Sequence, residues 1–223
     1  TPSGDGGWIL NGTKSLVARP GACELFVVAA ATAPGKNALF IVESGSEGLT
    51  HEPEPAMGLR AASTGRLVLD QVRVPAGSVL GPETERERNY ADCVAGSRVA
   101  WSALSTGTAQ AVLDYVIPYV NERQAFGEPV SNRQSVAFQV SDIAIETGGM
   151  RLVTYRAASR ADRSQTFARE AALARRLAAT KGTEIGSAGV QLLGGHGYVK
   201  EHPVERWYRD LRAAGVMEGA LLA

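Results

Sequence analysis

Short stretches of alternating hydrophobic and polar residues occupy the first third of the chain. In GRLVLDQVRVP, valines alternate with polar residues until Pro75 ends the run, which is typical of a half-buried strand. Two further apolar runs, ELFVVAAAT and ALFIVESG, flank the turn-forming sequence APGKN. The dipeptide Asn11-Gly12 within GWILNGTKSLVA predicts a tight hairpin. Together these patterns predict an antiparallel sheet or small barrel.

The remainder of the chain changes to a helical period. Val112, Val116 and Val120 predict one buried helix face, and Pro118 is expected to kink that helix or end it early. Farther along, mostly small residues recur at steps of three and four, which suits close packing between helices. This stripe consists of Phe167, Ala171, Ala174, Ala178, Lys181, Ile185 and Ala188. About four helices are expected from these periods.

The change of period predicts an α+β protein with two parts. Residues 1–86 are expected to form a β domain, an antiparallel β-barrel or sheet segment, and residues 87–223 a four-helix-type α-helical bundle. The charged sequence GPETERER (81–88) is interpreted as the linker. Because the small polar start TPSGDGGW leads directly into a β pattern, we expect the chain to begin inside a larger protein.

Charge and cysteine content narrow the class of function. The chain has 23 basic and 23 acidic residues, so no nucleic-acid or anionic-membrane surface is indicated. Cys23 and Cys93 are far apart in sequence and outside any CxxC pair, which favours reduced, partly buried thiols in a cytoplasmic protein. No apolar run approaches the roughly 20 residues that a membrane span needs.

Several common catalytic motifs do not occur in the sequence. The three histidines, His51, His196 and His202, show no two-ligand spacing, so no metal site is expected and they are interpreted as loop residues. No GxSxG sequence is present to carry a nucleophilic serine. The sequence GGHG (194–197) lacks the lysine of a P-loop and follows no predicted strand, which argues against a dinucleotide-binding fold.

Two long motifs instead resemble those of the acyl-CoA dehydrogenase family. NERQAFGEPVSNRQ (121–134) is similar to the family's RxxFGxP(I/V)xxxQ. GVQLLGGHGYVKEHPVERWYRDLR (189–212) is similar to its QxxGGxGYxxExPVERxYRD. WILNGTK and the strand ending in VRVP also match. The likeness runs over essentially the whole chain, which corresponds to the later part of a family member.

This resemblance implies an FAD-dependent enzyme of fatty acid metabolism that introduces an α,β double bond into an acyl-CoA thioester. The family's base lies eight residues after the Asp of YRD, which here gives Glu218, followed by Gly219 as in the family's EG. Glu218 would abstract the α-proton while hydride passes to flavin N5. The flavin ribityl hydroxyl and the backbone N–H of the base would stabilise the thioester enolate. Position alone would instead suggest a solvated carboxylate.

The resemblance also assigns residues to the cofactor and the substrate. Those assigned to FAD are Arg123, Phe126, Gln134, Gln191, Gly194 and Gly195. Arg123 would pair with the pyrophosphate, Phe126 would pack at the adenosine end, and the glycines would expose backbone to the ADP part. Arg98 and Gly219 are assigned to the substrate, with a surface ion pair as an equal alternative for Arg98.

The family's FAD contacts reach a neighbouring subunit, which implies an oligomer. A dimer of dimers is expected, either a homotetramer or a hetero-oligomer. The implied partners are the acyl-CoA substrate and an electron-transfer flavoprotein or similar electron acceptor.

The flavin-facing segment departs from the family's KxWITN pattern. Leu16 replaces its Trp and Ala18 its Thr, while Met217, Ala220 and Ala95 replace an aromatic residue, a Thr and an acidic residue. These changes predict a roomier pocket for a bulky or branched acyl group. They also leave two alternatives open. One is a non-catalytic partner subunit that contributes FAD-binding surface to a mixed assembly, and the other is a related flavoenzyme with a non-thioester substrate.

Overall fold

The computed structural model describes residues 1–217. Its strands are β1 (Trp8–Val17), β2 (Leu25–Ala33), β3 (Lys36–Glu43), β4 (Leu49–Pro53), β5 (Gly65–Val74), β6 (Gln124–Ala125) and β7 (Glu128–Pro129). Its helices are α1 (Arg86–Glu122), α2 (Gln134–Asp162), α3 (Ala168–Leu193), α4 (Gly195–Tyr198) and α5 (Val204–Ala214). The predicted α+β class is confirmed. The chain divides into two compact units, Thr1–Val94 (the β unit) and a helical unit that begins at Ala95.

The β unit contains two antiparallel sheets. Strands β1, β5 and β4 form one sheet in that order, and β2 pairs with β3 in the other. The β2–β3 hairpin turns at the predicted Pro34-Gly35, where Gly35 has a φ of 70°. Alternate residues of the strands meet in a shared core, formed by Leu10, Phe26, Val28, Phe40, Val42, Leu67, Leu69 and Val72. Within the described residues these sheets stay separate, so the predicted barrel does not close.

The hairpin predicted at Asn11-Gly12 is wrong. Strand β1 runs straight through both residues and pairs with β5, with an irregular register between Leu10 and Gly12. The Asn11 side-chain oxygen accepts the backbone N–H of Gln71 at 2.9 Å, and Gly12 has a φ of 141°. A β-bulge uses the same residue types as a tight turn, because both need a backbone that most side chains disfavour.

The first turns of α1 belong to the β unit. The Glu87 carboxylate accepts the backbone N–H of Asn37 at 2.7 Å, and the Arg86 guanidinium lies 5.9 Å from the centre of the Trp8 ring. These contacts agree with the division of the chain after Val94. The domain bounds 1–86 and 87–223 stay a prediction. Helix α1 also continues past Pro118 to Glu122, so the early end that the proline suggested does not occur.

The helical unit buries the predicted valine face. Val112 and Val116 are fully buried and Val120 nearly so, in a core shared with α2, α3 and α5. Glycines bring the helices close: a Cβ at Gly186 would lie 2.9 Å from the Tyr208 Cα of α5. The small-residue stripe of α3 therefore has its predicted packing role, except at Lys181, whose amine pairs with Glu146 at 3.0 Å.

Three further observations concern metal binding, membrane crossing and the state of the cysteines. Within residues 1–217, no group of His, Cys, Asp and Glu side chains is arranged to hold a metal ion. Among the described helices, none combines the length and apolar character that crossing a bilayer requires. Both cysteines are free thiols, and Cys93 is exposed rather than partly buried.

Candidate functional site

A cleft in the helical unit lies where the end of α1, the start of α2 and the junction of α3 with α4 meet. Its volume is about 750 Å³. Its lining combines one cation, one acid, amides, hydroxyls and a glycine pair: Tyr119, Arg123, Val130, Ser135, Val136, Phe138, Gln139, Asp142, Gln191, Leu192, Leu193, Gly194, Gly195 and His196. Both long sequence motifs therefore contribute to a single cavity.

Arg123 stands at the cleft directly after the last residue of α1. Its backbone N–H donates to the carbonyl of Tyr119 at 2.9 Å, and its own carbonyl accepts the N–H of Val130 at 2.9 Å. The second bond closes the short β6–β7 hairpin, which turns at Phe126-Gly127 with φ values of 56° and 86°. The backbone of Arg123 is thus fixed while its side chain is exposed, which suits binding of an anion.

Phe126 lies outside the cleft, at the tip of this hairpin. Its side chain is 93% exposed, and the Arg133 guanidinium lies 5.3 Å from the ring centre. Gln134 is the first residue of α2 and is also exposed, whereas its neighbour Ser135 lines the cleft. Of the residues assigned to FAD, the cleft therefore brings together Arg123, Gln191, Gly194 and Gly195.

Glycine occupies the three positions of GGHG for different structural reasons. Gly194 ends α3 with φ 57° and ψ −132°, a conformation that a side chain strongly disfavours. A Cβ at Gly197 would lie 2.1 Å from the Val190 carbonyl oxygen, so packing requires glycine there. A Cβ at Gly195 would meet no protein atom within 4 Å. The same holds for Gly194, so the backbone of both residues is open to a ligand.

A cluster of two tyrosines and two histidines holds this loop. The Tyr119 and Tyr115 hydroxyls each lie 2.8 Å from a histidine Nδ1, that of His196 and His202 respectively. The two imidazoles stack with ring centres 5.3 Å apart, and the Tyr119 hydroxyl donates to the Leu193 carbonyl at 3.2 Å. The sequence predicts ordinary loop residues at both positions, whereas His196 lies in the short helix α4. The available signal was the four-residue spacing of the tyrosines, which puts them on one face of α1.

The residues assigned to catalysis and substrate lie elsewhere. Arg98 is half-buried on α1, about 37 Å along the helix from Arg123 at 1.5 Å per residue. Glu218 and Gly219 lie outside the described residues. Immediately before them, Met217 is buried at 7% exposure, and its carbonyl accepts a hydrogen bond of 2.8 Å from the buried Arg175.

The altered flavin-facing segment lies in the β unit, at the end of β1. Leu16 has a φ of 55°, and its N–H donates to the Glu54 carboxylate at 2.6 Å. Arg66 pairs with the same carboxylate at 3.3 Å. The Leu16 hydrogen bond, followed by the Arg66 guanidinium, holds the pKa of Glu54 below its ordinary value. Arg19, which also has a positive φ of 49°, lines a separate cavity of about 560 Å³ in this unit.

The cleft of the helical unit has the chemistry of a diphosphate site. A guanidinium offers paired donors to phosphate oxygens, and an open glycine backbone lets N–H groups approach a ligand closely. The amide of Gln191 adds a donor and an acceptor. The carboxylate of Asp142 stands at the same cavity and repels a bound anion, so the Arg123 guanidinium has to offset it.

Comparison with known proteins identifies the family. The acyl-CoA dehydrogenase C-terminal domain matches residues 90–221, and the acyl-CoA dehydrogenase middle domain matches residues 1–72. The chain belongs to the acyl-CoA dehydrogenase family. This is a family of FAD-dependent flavoprotein oxidoreductases.

Individual relatives agree with this assignment. The short-chain specific acyl-CoA dehydrogenase, mitochondrial, of Rattus norvegicus is 34% identical over 217 residues, which cover 95% of this chain and 53% of the relative. The butyryl-CoA dehydrogenase of Megasphaera elsdenii has a similar structure, with a TM-score of 0.89 and 31% identity over 99% of this chain and 60% of that one.

A second similar structure is that of the electron transferring flavoprotein of Acidaminococcus fermentans. Its matching chain has a TM-score of 0.88 and 29% identity, over 97% of this chain and 58% of that one. The present chain thus spans little more than half the length of the relatives that it matches.

Proposed function

We propose that the whole protein to which this chain belongs is an acyl-CoA dehydrogenase that forms an α,β double bond in an acyl-CoA thioester. The observation that carries the proposal is the cleft in which Arg123, Gln191, Gly194 and Gly195 meet. These residues come from two distant motifs and occupy the positions that the family resemblance assigned to the cofactor. The family membership supports the reaction class.

The cleft fits the diphosphate end of FAD in chemistry. Arg123 would neutralise the diphosphate, and Gly195, which has room for a ligand at its Cβ position, would present backbone N–H groups. Gln191 would bind the ADP part. When bound, FAD supplies a two-electron acceptor for the β-hydrogen of the substrate.

Glu218 is proposed as the base that removes the α-proton. The residues that lead to it support a dry environment, because Leu211, Ala214 and Met217 are all buried. Removing water raises the basicity of a carboxylate, and donors at the thioester oxygen lower the energy of the developing enolate. The backbone N–H of residue 218 would be one such donor, and Gly219 would leave space beside the thioester. Arg98 would contact the substrate.

A specific observation favours one alternative, a partner subunit in a mixed assembly. Leu16 and Ala18 replace residues that the family uses at the flavin, whereas the diphosphate cleft is retained. A subunit that supplies only cofactor-binding surface to a partner would show this combination. Glu218 argues against it, since such a subunit needs no base.

We also propose that the protein is an oligomer, with a dimer of dimers as the expected form. Helix α2 carries exposed apolar side chains at intervals of seven residues, Phe138, Ile145 and Leu152. Such a stripe on one helix face suits burial against another subunit. An electron-transfer flavoprotein or similar acceptor would reoxidise the enzyme. A cytoplasmic location stays a prediction, and one relative is named mitochondrial.

The test is anaerobic reduction of the flavin by acyl-CoA in the full-length protein. The wild type should purify yellow and should bleach when straight-chain and branched acyl-CoA thioesters are added. Glu218→Gln should remain yellow and bind acyl-CoA but bleach at least about a thousandfold more slowly, since it keeps the side-chain volume and loses the base. The control Glu47→Gln, at an exposed position of the β unit, should bleach like the wild type.

Three results would count against these proposals. Equal bleaching by Glu218→Gln would remove the assigned base. A protein that is colourless alone and yellow only with a partner subunit would favour the mixed assembly. A preference for short straight chains over branched ones would refute the roomier acyl pocket.

A further inference from the structure

The most buried cation in the described part of the helical unit is Arg175, in the middle of α3. Its exposure is 2%, although the neighbouring buried positions of the helix are mainly small and apolar. Burial of a guanidinium is costly unless strong acceptors meet it. The groups that accept hydrogen bonds from Arg175 therefore indicate the role of its buried charge.

Two of those acceptors are backbone carbonyls at the end of the chain's last described helix. The Nη2 of Arg175 donates to the carbonyl of Ala214, the final residue of α5, and to the carbonyl of Met217 at 2.8 Å. The last carbonyls of a helix lack partners within the helix and carry its negative dipole end. A cation at this place is thus bound by the helix end and by the segment that follows it.

The two helices that carry this contact are held close together. A Cβ at Gly182 would lie 3.3 Å from the Leu211 side chain, and one at Gly186 would lie 2.9 Å from the Tyr208 Cα. Glycine at both positions lets α5 approach α3, so the distance between Arg175 and the end of α5 is set by close packing. The end of α5 is therefore fixed relative to Arg175, and the Arg175 hydrogen bond then holds the Met217 carbonyl that follows it.

The Met217 carbonyl belongs to the peptide group that joins Met217 to residue 218. A trans peptide group is planar, and its N–H points away from its C=O. A cation that binds the carbonyl fixes the plane and draws electron density from the group, which makes the N–H on the opposite side a stronger donor.

We propose that Arg175 is a positioning residue for the dehydrogenation. By binding the Met217 carbonyl, it orients and polarises the peptide N–H that donates to the thioester oxygen as the enolate develops. This inference rests on the proposed function, which gives that N–H its role. Arg175 acts through the peptide group and does not touch the substrate.

The probe is acetoacetyl-CoA, a β-keto thioester that ionises to an enolate more readily when hydrogen-bond donors stabilise its oxygens. Its ionisation on the full-length holoprotein is followed by near-ultraviolet absorbance and flavin charge-transfer absorbance across pH. In Arg175→Met the ionisation midpoint should rise by about one pH unit, a tenfold loss of enolate stabilisation. The Kd of an S-alkyl-CoA thioether, which has no carbonyl, should stay within about twofold of the wild type, since the donor has nothing to bind.

Two further substitutions separate the charge from the fold. Arg175→Lys keeps a cation and should restore most of the wild-type midpoint, whereas Arg175→Gln keeps only a neutral donor and should fall between Lys and Met. Ile185→Val removes a methyl group from another buried position of α3 and should lower the melting temperature without moving the midpoint. If Arg175→Met does not fold, the difference between Gln and Lys decides the question.

The outcomes distinguish the two proposals. If the wild type binds acetoacetyl-CoA without ionising it, both the proposed function and the role of Arg175 fail. If the wild type ionises the ligand and the Arg175 variants show the same midpoint, only the positioning role is wrong. If thioether binding weakens in parallel with ionisation, Arg175 acts on the pocket as a whole and the positioning role is also wrong.

Discussion

The β unit contains more left-handed backbone than the described part of the helical unit, and in both units glycine and other residues share it. Five non-glycine residues of the β unit have positive φ: Leu16, Arg19, Leu59, Ser63 and Gln71. In the described part of the helical unit the corresponding residues are Phe126 and Ser164, and the cleft itself uses Gly194. Each such side-chain-bearing residue costs about 1 kcal/mol, so the surrounding contacts must impose the conformation.

This difference shows how each unit holds its left-handed backbone in place. In the cleft, the left-handed backbone falls on Gly194, which adopts it with little strain and leaves the backbone accessible to a ligand. In the β unit, contacts such as the bond from Leu16 N–H to Glu54 hold the segment that the family turns toward the flavin. We therefore expect changes in the cleft to affect cofactor retention, and changes around Leu16 to affect mainly the local fold of the β unit.

The largest effect is expected for Gly197→Ala in the helical unit. Its Cβ would lie 2.1 Å from the Val190 carbonyl oxygen, so the loop must shift and stability should fall by about 3 kcal/mol. The purified full-length protein should also lose its yellow colour more readily on dilution. For the loss of stability alone, Gly195→Ala is the matched control, because that Cβ meets no protein atom. An equal loss of stability in both variants would show that packing against Val190 is unimportant.

A smaller effect is expected for Arg123→Ala, and on binding rather than folding. The side chain is exposed, so the melting temperature of the apoprotein should change little. Removal of a charge-assisted contact to the diphosphate should weaken FAD binding by about 2 kcal/mol, roughly thirtyfold. Titration of the apoprotein with FAD measures this directly. Arg163→Ala, at the far end of α2, is the control, and similar FAD affinities for both variants would contradict the assigned cleft.

The smallest effect is expected for Glu54→Gln in the β unit. The Leu16 hydrogen bond lowers the pKa of Glu54 below its ordinary value of 4.5. A carboxyl group with a lowered pKa stabilises the fold above its ordinary pKa, and that contribution is lost as pH falls through the lowered value.

The substitution should therefore cost about 1 kcal/mol at neutral pH, and the difference from wild type should shrink as pH falls below 4.5 and vanish below the lowered pKa. Thermal melts across pH measure the difference. A stability difference that stays constant across pH would mean that the charge of the Glu54 carboxylate does not contribute to its bond with Leu16. Loss of FAD with unchanged stability in this variant would contradict the division of roles between the units.

Several parts of this picture were predictable from sequence for physical reasons. The valine face of α1 and the small-residue stripe of α3 were found because a helix repeats its buried positions at fixed intervals. Gln191, Gly194 and Gly195 were found together because one motif contains all three, and the second motif supplies Arg123 to the same cleft.

Other parts depend on tertiary contacts, which the spacing of residues along the sequence does not specify. Asn11-Gly12 predicted a turn, but pairing of β1 with β5 over its whole length makes it a bulge. Arg175 adjoins the small-residue stripe of α3, and only the position of α5 reveals its acceptors. His196 and His202 have no recognisable spacing, because they stack only after the loop folds onto α1.

The most direct test of the central claim follows the α-hydrogen itself. Full-length holoprotein is incubated without oxygen in water with acyl-CoA that carries deuterium on the α-carbon, and loss of the label is measured by mass spectrometry. Wild type should release the label to solvent, and Glu218→Gln, still holding FAD and acyl-CoA, should release it at least about a hundredfold more slowly. Release by Glu218→Gln at the wild-type rate would show that another group removes the proton.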